Sequence, residues 1–410
     1  MSNIPISSEK SARLDAVLTH KLWGFPIFLG VLWVMFQATF VIGQIPMSWI
    51  DEGVHAFSHW LQVTVADGWF KSLLIDGIVA GVGGVVIFLP NILILFTFIS
   101  FMEDTGYMAR VAVIMDKLMH IIGLHGKSFV PLIMGFGCNV PAIMATKFIE
   151  NRRDRLLTML IIPFMSCSAR LPVYVLIAGA FFPNNAGTMI FCIYLFGILI
   201  SMLTAIVLSR TVFKTPFDDS AITLTPYRRP SLHLMWQTIR MNTGEYLKKI
   251  GGIILIGSTI VWGLGYFPHH PEALPKQQLE ESYLGRIGRT IEPALTPIGF
   301  DWRMGVAALA GISGKELIVS TMSVLYLDEN TGQDEKTLNE RFVNDPHLQP
   351  LNALSFLVFV LLYFPCIAVF STIKNESGKW RYATLLALYT TTLAWVIAFA
   401  VFQLGGIFGL

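Results

Sequence analysis

Charge is scarce in this sequence. Asp, Glu, Lys and Arg make up 14% of its 410 residues, whereas a soluble protein carries about 25%. That deficit excludes an ordinary water-soluble enzyme, whose surface needs more polar cover. The net charge is +2, so there is no basic surplus to recruit a nucleic acid. Cysteine is equally sparse: four residues, widely spaced and without a CxxC or zinc-type pattern, which excludes a disulfide framework. HExxH is absent. GLHGKS (123–128) contains GKS, but Ile121 stands where a P-loop needs its first glycine. Gly311-Ile312-Ser313-Gly314 matches a GxSG protease pattern, yet the only downstream histidine is His347, in a polar loop. No cofactor and no enzymatic chemistry follow from these residues.

Apolar sequence fills the space that charge leaves. Hydrophobic residues reach 54%, with 30 Phe, 17 Met and 10 Trp, and the mean hydropathy is +0.62. They gather into stretches of about 20, the length of a bilayer-spanning helix. The fold class expected is an all-α, polytopic membrane protein. Spans are predicted near 23–45, 75–101, 156–182, 188–210, 250–267, 351–373 and 382–404. Residues 1–22 are polar without a cleavage pattern, so the first span reads as a retained anchor. Of 29 basic residues, 20 lie in 1–22, 102–128, 147–155, 210–249 and 374–381. The positive-inside rule places those segments, and the N-terminus, in the cytoplasm.

Two further segments, 129–146 and 305–326, are apolar but glycine-rich and interrupted by polar residues. Charge bias puts both flanks of each on one side, which predicts re-entrant or broken helices. Such backbone is tolerated at membrane depth only when buried or lining a cavity. Residues 115–137 align without gaps to 291–313, at an offset of 176. Asp116 falls on Glu292, Gly123 on Gly299 and Gly135 on Gly311. Two inverted repeats are therefore expected, with a midplane site. The domain reading is 1–74 (cytoplasmic stub, first span, external loop), 75–210 (first repeat), 211–249 (cytoplasmic linker) and 250–410 (second repeat and last span).

Candidate site residues cluster at these interruptions. GFGCNVPAIMA (135–145) sets Cys138 and Asn139 between two glycines and Pro141, an expected helix break carrying a soft sulfur and an amide. FMSCSARLPVY (164–174) holds Cys167, and Arg170 lies within an otherwise apolar span; intramembrane charge marks a cavity or a partner. Cys366, in FPC, is the third sulfur, and Met134 a fourth soft ligand. Sulfur on broken segments fits a path for a borderline-soft divalent metal. Cys192, in an uninterrupted apolar run, reads as packing or lipid-facing. Lys315 and Glu316 in GISGKEL are adjacent, so a non-helical turn or partners elsewhere, Arg170 among them, must neutralise them. MEDTGYMAR (102–110) offers Glu103, Asp104 and Arg110 as a hinge or docking surface. Asp51, His55 and His59 stand at helical spacing as an outer metal-capture site; His269–His270, beside prolines, is a weaker one.

These segments resemble a known family. Residues 76–116, 126–157 and 163–183, with GFGCNVP, MSCSARLP, FPC and EDTGYMAR among them, are similar to the bacterial ferrous-iron transporter family FeoB, over nearly the whole chain. The resemblance implies paired Gate domains and uptake of Fe²⁺ across the bacterial inner membrane. It also implies an ion-path role for Cys138, Cys167 and Cys366. Family members begin with a GTP-binding domain that this sequence does not show, so the expected partners are such a GTPase in cis or in trans, with GTP and Mg²⁺ bound there alone. Small cytoplasmic Feo accessory proteins, a second copy of the chain and the bilayer complete the set. The readings standing against iron uptake are a non-transporting scaffold, an Mn²⁺ transporter and a nucleoside-like solute carrier.

Overall fold

The computed structural model describes residues 15, 18, 20, 23–213, 227, 230–248, 252–269, 275–326, 342–343, 345 and 348–408. Most of the N-terminal polar stretch, the first part of the 211–249 linker, His270, His347 and the acidic stretch 328–341 lie outside the described residues. Among the described residues all regular structure is helical, as so apolar a chain requires, because a helix satisfies its own backbone in lipid. In chain order the main helices are α1 (Gly24–Gln37), α2 (Gln44–Thr64), α3 (Leu89–Asp104), α4 (Tyr107–Ile121), α5 (Phe129–Met134), α6 (Asn139–Ala145), α7 (Arg152–Ile161) and α8 (Leu171–Phe181). There follow α9 (Ala186–Thr211), α10 (Leu232–Tyr246), α11 (Gly252–Tyr266), α12 (Tyr283–Leu295), α13 (Trp302–Ala310), α14 (Glu316–Leu325), α15 (Pro350–Leu362), α16 (Ile367–Ser377) and α17 (Trp380–Phe408).

Five stretches are long and apolar enough to cross a membrane: Trp69–Asp104, Arg152–Phe181, Ala186–Thr211, Pro350–Ser377 and Trp380–Ile407. The spans expected near 23–45 and 250–267 contain shorter apolar helices, Gly24–Gln37 and Leu255–Tyr266. The first of these runs on into a π-helical turn at Ala38–Ile42. Burial separates the five into two kinds. In Arg152–Phe181 and Pro350–Ser377, 61% and 72% of the apolar window is buried, against 29% for Trp69–Asp104, 28% for Ala186–Thr211 and 22% for Trp380–Ile407. The two buried stretches are broken at Ile162–Arg170 and at Tyr363–Cys366. Pro163, Pro172 and Pro365 withhold the backbone donors that would continue those helices. By contrast α9 is unbroken and shows Phe191, Leu195, Leu199, Leu203 and Val207 as an exposed stripe, the face a lipid-covered helix presents. Cys192 is exposed on the same helix.

The glycine-rich segments break at aligned residues. Turns at Gly135–Gly137 and Gly311–Ser313 are each followed by a non-helical residue, Cys138 and Gly314, before a helix resumes. The offset is the 176 residues of the sequence alignment.

The chain forms two compact units. The first comprises 1–64, 82–165 and 200–252. In it α3 packs on α10 and α2, α4 on α1 and α5, and α5 on α6. The second comprises 65–81, 166–199 and 253–410. There α15 packs on α17, α12 and α14 flank α13, and α8 rests on both α14 and α15. Helix α8 follows the break at Cys167, α14 follows the break at Gly311–Lys315, and α15 leads into the break at Tyr363–Cys366. Their packing therefore gathers three interruptions within one unit.

Candidate functional site

Each of the three cysteines at an interruption sits one residue before a helical turn, in extended backbone. Cys138 (φ −152°, ψ 129°) precedes α6, Cys167 (φ −75°, ψ 161°) precedes the 3₁₀ turn Ser168–Arg170, and Cys366 (φ −60°, ψ 154°) precedes α16. All three are half-buried. A helix interior would leave little freedom for a thiol to meet a ligand; at a break the side chain and neighbouring backbone both become available.

In the first unit the break is built by close packing. A Cβ on Gly135 would stand 2.9 Å from the Leu132 carbonyl oxygen, 2.9 Å from Met165 Cβ and 3.3 Å from Asn139 Oδ1, so only glycine fits. Asn139 is 4% exposed. Its Oδ1 is buried with no hydrogen-bond partner. Such an acceptor costs about 1–3 kcal/mol when left unmade, and it lies beside the Cys138 thiol in sequence. Met134 is buried as well, and lines an apolar pocket with Met35, Met102 and Met108.

The second unit brings Cys167, Cys366, Arg170 and Lys315 together. Lys315, 2% exposed, donates from Nζ to the Phe364 carbonyl at 2.8 Å. The same ammonium stands 3.4 Å from the centroid of the Tyr363 ring. Arg170, Cys366, Cys167 and Glu316 all lie within electrostatic reach of it. Tyr363 is anchored by its hydroxyl on the Ala308 carbonyl, 3.2 Å, and Ile367 N donates to Ile312 O at 2.8 Å, tying the two breaks. Ser166 and Tyr174, both buried, meet through their hydroxyls at 3.0 Å next to Cys167 in the chain. Lys315 lies in the turn that ends the break, its ammonium is satisfied by a carbonyl and a ring face, and Arg170 stands within electrostatic reach. Glu316 heads α14, half-buried in its first turn, where a carboxylate meets the positive end of the helix.

EDTGYMAR forms a separate polar cluster in the first unit. Gly106 adopts φ 77°, which favours glycine, and its N–H caps α3 through the Glu103 carbonyl. Glu103 ends α3 next to Asp104, whose Oδ2 accepts from Ser231 N at 2.7 Å, at the start of α10. Arg110, 2% exposed, donates to Asp15 and to the Gly106 carbonyl, and its guanidinium lies 3.9 Å above the Tyr227 ring. Burial works against the Asp15 carboxylate, yet hydrogen bonds from Arg110 and Tyr227 outweigh it and hold its pKa below the usual 3.8. Burial, then the bond to Asp15, pushes the Tyr227 phenol up to about 12.

On α2, His55 Nε2 lies 3.6 Å from Asp51 Oδ1, both side chains well exposed. Among the described residues no group of three or more His, Cys, Asp or Glu is placed to hold a metal ion. Sequence reasoning missed Tyr363, the Phe364 carbonyl, Ser166, Tyr174, Asp15 and Tyr227. Only Ser166, beside Cys167, had a local signal.

Comparison with known proteins follows the same residues. A family model described as "Nucleoside recognition" (Gate) matches 85–181 and 247–380, more than half of the chain. One described as "Ferrous iron transport protein B C terminus" matches 190–240. A Porphyromonas gingivalis "Fe(2+) transport protein A/Fe(2+) transporter FeoB fusion protein" is 45% identical over 97% of this chain and 52% of its own length. The "Fe(2+) transporter FeoB" of Campylobacter jejuni is 44% identical over 94% of this chain and 64% of its own. That of Staphylococcus aureus is 38% identical, over 97% and 60%. The chain thus spans between about half and two-thirds of these relatives. No solved structure matches it.

Proposed function

The chain belongs to the FeoB family, and on that premise we propose that it is the membrane part of a ferrous-iron transporter that takes up Fe²⁺ across the bacterial inner membrane. Cys138, Cys167 and Cys366 supply sulfur along the path, with Asn139 Oδ1, Met134 and backbone carbonyls replacing water on the ion. The observation that carries this reading is that three thiols each stand at a helix break, Cys138 next in sequence to a buried amide oxygen that has no hydrogen-bond partner. Fe²⁺ accepts such mixed sulfur and oxygen donors, and a path of successive weak sites lets an ion leave as well as bind.

The two broken segments belong to Gate repeats at 75–210 and 250–410, inverted with respect to the membrane. The basic segments and the N-terminus face the cytoplasm. This chain does no nucleotide chemistry; a GTP-binding domain, in cis or in trans, drives or gates it. The Arg110–Asp15 cluster, with Glu103 and Asp104 at the end of α3, is a surface where such a domain acts. The fused name of the Porphyromonas gingivalis relative supports an accessory Feo protein as a further partner. Arg170, Lys315 and Glu316 gate the second unit, and Asp51, His55 and His59 are an outer capture point. A second copy of the chain completes the assembly.

The test is anaerobic uptake into proteoliposomes with a FeoB-type GTPase domain supplied. Fe²⁺ accumulation, competed by Mn²⁺ more weakly than by unlabelled Fe²⁺, is the expected result. No metal flux under those conditions, or uptake of a nucleoside in its place, contradicts the reading.

A further inference from the structure

We propose that the two glycine-rich broken segments are matched hairpins, each clasped at its mouth, and that the clasp of the first is the one that yields. The inference deepens the transport reading and rests on the orientation proposed above. It names the hairpin that opens toward the cytoplasm and the residues that hold the other one shut.

The same contacts recur at the offset of 176. Gly123 (φ 76°) and Gly299 (φ 81°) both adopt left-handed backbone. The next N–H, of Leu124 or of Phe300, reaches back five residues to Met119 O or Leu295 O, the closing bond of a helix terminated by glycine. Asp116 Oδ1 then accepts from Gly126 N at 2.8 Å, and Glu292 Oε1 from Trp302 N at 3.3 Å. The breaks close alike, Gly135 N on Pro131 O and Gly311 N on Ala307 O. About ten residues lead from each carboxylate-held N–H to its break, roughly 15 Å of helical rise, which is half of a hydrocarbon core. Each segment also returns to where it began. Lys127, just before α5, meets Glu150, just after α6, at 2.9 Å. Arg303, in the first turn of α13, stands 5.1 Å from the centroid of the Tyr326 ring at the end of α14. Those are the same two positions, 176 residues on. A segment whose ends touch enters and leaves on one side, with its break as the deepest point.

The two mouths differ in strength. Lys127–Glu150 is a single ion pair whose Glu150 side chain is 84% exposed, and water leaves such a pair little net stabilisation. At the second mouth Arg303 pairs with Asp345 at 2.8 Å, side chains 21% and 15% exposed, with Asp301 at 3.8 Å. The Tyr326 ring beside it packs edge-on against buried Phe342, 5.1 Å between centroids. Parting this mouth strands a guanidinium and a carboxylate that water scarcely reaches, whereas parting the first returns both charges to solvent. The first hairpin carries Cys138 at its break, and the second has Gly314 at the equivalent position. The thiol therefore rides on the hairpin that opens.

The test compares thiol labelling at the two breaks. An impermeant maleimide is applied, without iron, to the full chain in right-side-out and inverted membrane vesicles. One form keeps Cys138 with Cys167→Ser, Cys192→Ser and Cys366→Ser; the other adds Cys138→Ser and Gly314→Cys. A Cβ at position 314 meets only the end of the Glu316 side chain, at 3.0 Å, so the substitution fits. Cys138 should react from the cytoplasmic side, and Lys127→Gln should change its rate by no more than about fivefold, the scale of an exposed ion pair. The Gly314→Cys form should react from the outer side, at least about tenfold more slowly than Cys138 does. Arg303→Gln, and separately Asp345→Asn, should raise that rate by at least about tenfold, the scale of a lost hydrogen bond between charged groups, while Arg303→Lys keeps it slow. Equal rates at the two breaks, or a Gly314→Cys rate that neither Arg303→Gln nor Asp345→Asn alters, overturns the proposal and leaves iron transport standing. The expected labelling in a chain that carries no iron overturns the iron reading and keeps the clasped hairpins.

Discussion

Arg110 donates from Nε to the Asp15 carboxylate at 2.9 Å, joining residues 95 positions apart. The same carboxylate oxygen accepts from the Tyr227 hydroxyl at 2.8 Å, a contact across 212 positions. Three stretches of the first unit are thus tied at one buried guanidinium. Replacing Arg110 with Ala leaves Asp15 and the Gly106 carbonyl without their donor and should cost about 2–3 kcal/mol. Thermal unfolding in detergent would show it as a lowered Tm, larger than that of Tyr227→Phe. Equal melting of wild type and Arg110→Ala would mean that the cluster holds nothing.

This cluster also sets a pH window. The depressed pKa of Asp15 means that its contribution is complete above the ordinary 3.8 and is lost as pH falls through the lower, folded value. For Tyr227 the sign is opposite: its neutral form donates to Asp15, so its contribution is complete below pH 10 and is lost as pH rises toward about 12. Melting curves of wild type against Asp15→Asn and Tyr227→Phe, taken across both windows, should converge at the extremes and separate between them. A constant separation at all pH values would contradict the assignment.

On the proposed iron path, Asn139 sets stability against binding. Its buried Oδ1 lacks a hydrogen bond, so Asn139→Leu should raise stability by about 1 kcal/mol or leave it unchanged. The same change should weaken Fe²⁺ binding. Calorimetry and a binding titration on one preparation check both signs; a variant that melts lower and binds iron normally would show the amide to be structural.

Gly135→Ala should destabilise by about 1–3 kcal/mol, because the new methyl meets the Leu132 carbonyl and Met165 Cβ. Gly137→Ala is the control, since a Cβ there meets only ordinary contacts from 3.5 Å. Similar Tm values for the two variants would remove the packing account of this break.

What could be read in advance follows local chemistry. Glycine and proline act on their own neighbours, so the interruptions at 135–141, 163–172, 311–315 and 363–366 were visible, and with them Cys138, Cys167 and Cys366. Long apolar runs marked the spans, although α1 gives way to a π-turn that hydropathy does not register. The partners of charged residues were not legible. Lys315 finds a backbone carbonyl 49 positions away, and a carbonyl has no sequence signal at all. Packing of α8 on α14 brings Arg170 within electrostatic reach of Lys315, a proximity that no local pattern announces.

The central claim is that Fe²⁺ passes along the thiols at the helix breaks, and anaerobic Fe²⁺ uptake by Cys138→Ser, Cys167→Ser, Cys366→Ser and Cys192→Ser proteoliposomes tests it most directly. Cys192, exposed on unbroken α9, is the internal control. Flux reduced by at least about tenfold in the three break variants, the loss of one good ligand, with Cys192→Ser unchanged, is the predicted result. Wild-type flux in the combined Cys138/Cys167/Cys366 serine variant would contradict it.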